Sequence, residues 1–170
     1  ECDIVFLAIK PQNFEEVLEH LKNKCILNLD RSIKILDDVM KIVNKHNMAD
    51  QVLLKSDPSD ASLKMVETFA PKVDYMPIFM EEDVASEKIE NMNINYIGAE
   101  LVFKSESSSI AQDSYIDMMH KKGRILWGNS IVYSSRVPLA AGHNDDISLT
   151  GDPEDGWGWL AKKGFDIIQT

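Results

Sequence analysis

Along the chain, short apolar runs alternate with longer segments in which apolar residues return every three or four positions. The short runs suit strands buried on both faces and the longer ones suit amphipathic helices, so the alternation predicts parallel strands joined by crossover helices. DIVFLAI (3–9) precedes NFEEVLEHLKNK, where Asn13 is placed to cap a helix and Phe14, Val17, Leu18 and Leu21 share one face. CILNLD (25–30) leads into SIKILDDVMKIVNKHNMA, with an apolar stripe of Ile33, Leu36, Val39, Met40 and Val43. QVLLKS (51–56) is followed by a proline turn and the helix ASLKMVETFA. DYMPIFM (74–80) reads as a fourth strand, weakened as a central one because Pro77 has no backbone donor. INYIGAELVF is the fifth, with a helix from about Ile110 to Lys122 that ends at Gly123, a residue suited to a left-handed cap. RILWGNSIVY, a loop, a helix over 153–163 and FDIIQT complete the order.

This order fits a doubly wound sheet and a (β/α) barrel equally, as one α/β domain over 1–170. In both folds the C-terminal ends of the strands make the functional face, which here selects Lys10, Asp30, Lys55, Glu100 and the WGNS segment from Trp127. A carboxylate at Asp30 suits a cation ligand or a general base, and equally a helix cap by Asp30 or Ser32. Lys55 could neutralise a phosphate or carboxylate oxygen, or be a solvated lysine. Glu100 lies inside an apolar run, where a charge needs a cationic partner or a site, and Lys55 is a candidate partner. Trp127 and Asn129 offer an indole face and an amide for a polyol, with a core tryptophan as the alternative.

Composition narrows the functions. A net charge of -10 argues against a nucleic-acid partner, because binding phosphate backbone needs clustered Lys and Arg. No apolar run approaches the roughly 20 residues of a membrane span. Cys2 and Cys25 stand at the entrances of apolar runs and read as small buried thiols. His20, His46 and His120 sit in helical segments beside charged residues and read as surface side chains. The acidic stretch GHNDDISLTGDPEDGWGWL does not have the calcium-loop spacing. Its Asp152, Pro153, Glu154 and Asp155 read as the start of a helix, leaving His143, Asn144, Asp145 and Asp146 on a loop at the rim of the functional face.

From about Phe14 to Thr170 the chain resembles the C-terminal part of glycerophosphodiester phosphodiesterases of the phospholipase-C-like TIM barrel family. The likeness is carried by EEVLEHLKNKCILNLDR, DQVLLKS, RILWGNSI and above all GDPEDGWGWLAKKGFDIIQT. The resemblance implies an incomplete (β/α) barrel of about seven parallel strands, a small phosphodiester substrate and a divalent cation, Mg or Ca. It implies that Asp30 stands where the family places an acidic metal ligand, that Lys55 has a substrate-side role, and that Trp127 and Asn129 lie on the family's late tryptophan-containing strand; Glu100 and His143 join the substrate side through their places on the functional face and its rim. The family's His-Arg-Gly and Pro-Glu-Asn-Thr segments, which carry both catalytic histidines and most metal ligands, are not in this sequence. The catalytic residues are therefore unassigned, and the chain as written is expected to be inactive. A non-catalytic α/β scaffold is the alternative. The first dozen residues resemble a pyrroline-5-carboxylate reductase strand, ending at Lys10 and Pro11, which implies an NADP-binding fragment as a weaker alternative. Together with a start at Glu1 and an end at Thr170 within an apolar run, this reads as a fragment or an engineered chimera, with a joint near residues 12–20. Strand edges left open in an incomplete barrel lead to an expectation of self-association.

Overall fold

The computed structural model describes residues 4–6 and 14–170, which fall into two compact units, one within residues 1–76 and 85–96 and one formed by 77–84 and 97–170. Cys2, Lys10, Pro11 and Asn13, with the reductase-like strand end and most of the segment before residue 14, lie outside the described residues.

The first unit contains β1 (Ile4–Phe6), α1 (Phe14–Leu21), β2 (Ile26–Leu29), α2 (Leu36–Lys45), β3 (Val52–Ser56), α3 (Asp60–Phe69), the start of β4 (Asp74–Met80) and α4 (Ser86–Glu90). β1, β2 and β3 are parallel neighbours, in register at Phe6↔Asn28, Asn28↔Leu53 and Leu29↔Leu54. Leu27 to Leu29 and all of β3 are buried, so both faces of these strands are covered and the sequence has no reason to alternate. The apolar stripe of α2 is buried at Leu36, Val39, Met40 and Val43, as its spacing predicts. The helix starts later than the pattern suggests. Residues Ile33–Ile35 form a 3-10 turn, and Ser32 uses its hydroxyl to donate to the Leu29 carbonyl rather than to cap. Asn23 (φ 61°) and Asn47 (φ 53°) take the left-handed conformation after α1 and α2, a place that asparagine tolerates better than other side chains. Cys25 is half-buried, so the expected buried thiol is corrected there. His46 is also corrected. Its side chain is 12% exposed and its Nε2 lies 3.3 Å from Glu15 Oε1, because Lys45 and His46 at the end of α2 converge on the carboxylate of α1.

The second unit holds the rest of β4, then β5 (Gly98–Val102), α5 (Asp113–Lys121), β6 (Ile125–Asn129), α6 (Asp145–Thr150), α7 (Trp157–Lys163) and β7 (Ile167–Gln169). Each strand pairs with the next in parallel. Pro77 falls in β4 between the isolated parallel bridge Tyr75↔Tyr96 and the pair Ile78↔Glu100, so its missing donor coincides with a gap between them. Gly98 has a steric reason: a Cβ there would lie 2.0 Å from the Ile125 carbonyl oxygen of β6. The helix expected over 110–122 divides at Gln112, whose backbone is extended. Its side-chain amide donates to the carbonyls of Glu106 and Ser108, holding Ser109–Ala111 as a separate 3-10 turn. Gly123 (φ 71°) closes α5 with an N–H to the His120 carbonyl, as expected of a left-handed cap.

Two elements were not foreseen. α4 is only five residues long and has no capping side chain, so nothing local announces it. α6 turns the supposed rim loop into a helix, with the Asn144 side chain accepting from Ile147 N at 3.0 Å. Asp145 and Asp146 are therefore the first turn of a helix rather than loop carboxylates.

Candidate functional site

In the first unit, strand alternation and the β2–β3 register place Asn28, Leu53 and Lys55 on one face, and Asp30 stands in the turn just past the end of β2. Asp30 is exposed and its Oδ1 accepts the N–H of Arg31 at 2.8 Å. The carboxylate thus holds the backbone where Arg31 takes a positive φ of 56°, and does not cap a helix. Lys55 is 3% exposed, not the solvated lysine of the alternative reading. The next residue, Ser56, points to the other face and shares a 3.0 Å hydrogen bond with the Tyr75 hydroxyl. Burial pushes the Tyr75 phenol up to about 12, with the Asp57 charge acting in the same direction and the Ser56 bond opposing it.

Just beyond β3, Asp57 receives Ser59 N–H at 3.0 Å and the Ser62 hydroxyl at 3.0 Å. Bonds from Ser59 first, and from Ser62 as well, hold its carboxyl below the ordinary aspartate range. These residues line an open cleft of about 410 Å³ that also takes in Ile33, Lys34 and Met65.

In the second unit, the partner pairs Glu100↔Trp127 and Asn129↔Gln169 put Glu100, Trp127, Asn129 and Gln169 on one face. The opposite face is set by Gly128, where a Cβ would come within 2.9 Å of Phe165 and 3.1 Å of Leu160 in α7. Glu100 stands in the middle of β5 and not at its end, a correction to its expected place. It is 5% exposed and accepts from Asn129 Nδ2 at 3.2 Å, which supplies part of the hydrogen bonding that a buried carboxylate requires. Trp127 is 1% exposed, and its indole N–H donates to Gln169 Oε1 at 3.1 Å.

His143 is held on three sides. Its Nδ1 donates to the Asp155 carbonyl at 2.5 Å, its Nε2 lies 3.0 Å from Glu106 Oε1, and its ring stacks on Trp159 at 3.9 Å with the planes 4° apart. The acidic stretch around it is mostly structural. Asp152 Oδ1 accepts from Glu154 N at 2.9 Å with Pro153 at the first position, as the sequence predicts. Asp145 Oδ1 accepts from the Trp157 indole at 2.8 Å and from the Ser130 hydroxyl. Ser148 Oγ accepts Trp157 N at 2.9 Å.

Among the described residues no three His, Cys, Asp or Glu side chains gather as a cation site. Mg and Ca need several oxygen ligands, so Asp30 and its described neighbours do not by themselves fit such an ion. Asn28 and Gln169, which stand on these faces, were not selected from the sequence; Ser130 was, as the last residue of WGNS. The signal for Asn28 was present in ILNL, a polar residue inside an apolar run, which is the argument that selected Glu100.

A family model described as a domain of unknown function, DUF4996, matches residues 75–170. Among solved structures, a glycerophosphoryl diester phosphodiesterase from Parabacteroides distasonis is similar to 91% of this chain and 50% of its own, with a TM-score of 0.65 and 16% sequence identity. The likeness is one of fold, and the chain spans about half the length of that protein. It agrees with the parallel α/β architecture that the sequence resemblance implies. No curated protein matches the chain.

Proposed function

The chain belongs to the DUF4996 family, a domain of unknown function, and from that premise we propose that it is a phosphodiester-recognising α/β unit of glycerophosphodiester phosphodiesterase type. The observation that carries this reading is the buried Lys55. It stands near the C-terminal end of β3, and the neighbouring parallel strand β2 runs out into the turn that carries the Asp30 carboxylate. In this reading Lys55 offsets the charge of a phosphate oxygen, and Asp30 is one acidic ligand of a divalent cation. Glu100, Trp127, Asn129 and His143 belong to the substrate side of the second unit. The described residues do not complete a cation site, so what is proposed for them is recognition, with the hydrolysis of glycerophosphodiesters to glycerol phosphate and an alcohol assigned to the family chemistry as a whole.

Titration calorimetry with glycerol 3-phosphate tests this. The chain is expected to bind it, and Lys55→Met is expected to weaken binding about tenfold or more, the loss of one charge-assisted contact. Absence of binding by the wild-type chain at millimolar ligand overturns the reading. A second reading, a non-catalytic scaffold, is favoured by the internal bonds Glu100–Asn129 and Trp127–Gln169. Release of glycerol phosphate from glycerophosphocholine that depends on added Mg or Ca, and falls on Asp30→Ala, would sink it.

A further inference from the structure

Asn28 is 2% exposed, and among the described residues neither its Nδ2 nor its Oδ1 has a hydrogen-bond partner. A buried carboxamide with no partner is a cost that folding does not tolerate without reason, since an apolar side chain of similar size would fill the same space without it. The flanking residues of ILNL are leucines and an isoleucine, so the strand itself has no need of an amide there. Its position supplies a reason. Asn28 is the next-to-last residue of β2, two before Asp30 in the turn that follows. Its β3 partner is Leu53, and Lys55 lies two residues further along that row.

We propose that the Asn28 carboxamide is a ligand-binding group that takes a hydroxyl of a polyol phosphate, Nδ2 donating to its oxygen and Oδ1 accepting its proton. This rests on the function proposed above and deepens it. A hydroxyl both donates and accepts, so one such group satisfies both orphaned atoms of the amide. The phosphate of the same molecule would lie toward Lys55 and Asp30, at the strand ends. Asp30 is exposed, so that end of the face is the side from which a ligand would enter. A small polyol has the length to reach one pleat down.

The experiment compares glycerol 3-phosphate with inorganic phosphate on the wild-type chain and on Asn28→Leu, with Asn28→Val as a smaller alternative should leucine overpack the site. The wild-type chain is expected to bind glycerol 3-phosphate more tightly than inorganic phosphate. Asn28→Leu is expected to abolish that preference, leave phosphate binding unchanged, and raise Tm. Lys55→Met is expected to weaken both ligands alike. If both Asn28 variants bind glycerol 3-phosphate as tightly as the wild type, a buried water or packing alone explains Asn28 and this inference falls while the phosphodiester reading stands. If the wild-type chain binds neither ligand, both fall together.

Discussion

The fully buried Tyr75 hydroxyl shares its proton with Ser56 Oγ across 3.0 Å, and Asp57, the residue after Ser56, raises the cost of ionising it further. The folded pKa of about 12 lies above the ordinary value of 10.0. The folded state therefore holds this proton more tightly than the unfolded chain does. The stability it contributes is complete below pH 10 and is lost as pH rises from there through 12. The loss is on the order of 2–3 kcal/mol. Tm measured from pH 8 upward is expected to fall more steeply for the wild-type chain than for Tyr75→Phe, which gives up the Ser56 bond but has nothing to ionise. Parallel curves would show that Tyr75 does not report this burial. The same residue scale explains Lys55 and Glu100. Each is a charge in an apolar strand, visible in the sequence, but only the fold shows that Glu100 meets Asn129 and that Lys55 is buried on the face it shares with Asn28.

At the scale of elements, α6, the Pro153–Asp155 turn and α7 form one assembly. Gly156 is its hinge point in the steric sense: a Cβ there would lie 1.9 Å from Ser148 Oγ and 2.9 Å from the Asn144 carbonyl oxygen. That space is taken by Ser148, which accepts Trp157 N and donates to Asn144 O. Gly156→Ala must push the two helices apart or break these bonds, and is expected to cost about 1–3 kcal/mol, read as a lowered midpoint in urea. An unchanged midpoint would mean that the assembly yields freely. The cap at Asp152 and Pro153 was legible because capping is a local matter of side-chain and backbone geometry, but the single helix expected over 153–163 divides at Gly156 into the Pro153–Asp155 3-10 turn and α7. α6 was not, because Asn144 was read among the acidic residues of a loop, and because its buried residue, Ser148, carries no apolar signal. The split at Gln112 was illegible for a related reason: it depends on that amide reaching the Glu106 and Ser108 carbonyls.

At the scale of the molecule, each of the two units is built on parallel strands, and β7 hydrogen-bonds on one side only among the described residues, to β6. Its residues are half-buried rather than buried. An unpaired strand edge is a template for another chain, so we expect concentration-dependent self-association. Sedimentation velocity across a hundredfold concentration range checks it, and a single monomeric species throughout would overturn the expectation.

The sequence by itself determined the α/β class and the order of the strands with the longer helices between them, because hydrophobic periodicity is a property of neighbouring residues and survives without knowledge of the partner. It also determined the caps at Gly123 and Asp152 and the polar positions Asp30, Lys55 and Glu100. Tertiary structure alone decided which of these share a face. That depends on register: Asn28↔Leu53 puts Asn28 on the face of Lys55, and Glu100↔Trp127 brings Asn129 to the carboxylate. Register is fixed by packing between segments about 25 residues apart, and no local pattern encodes it.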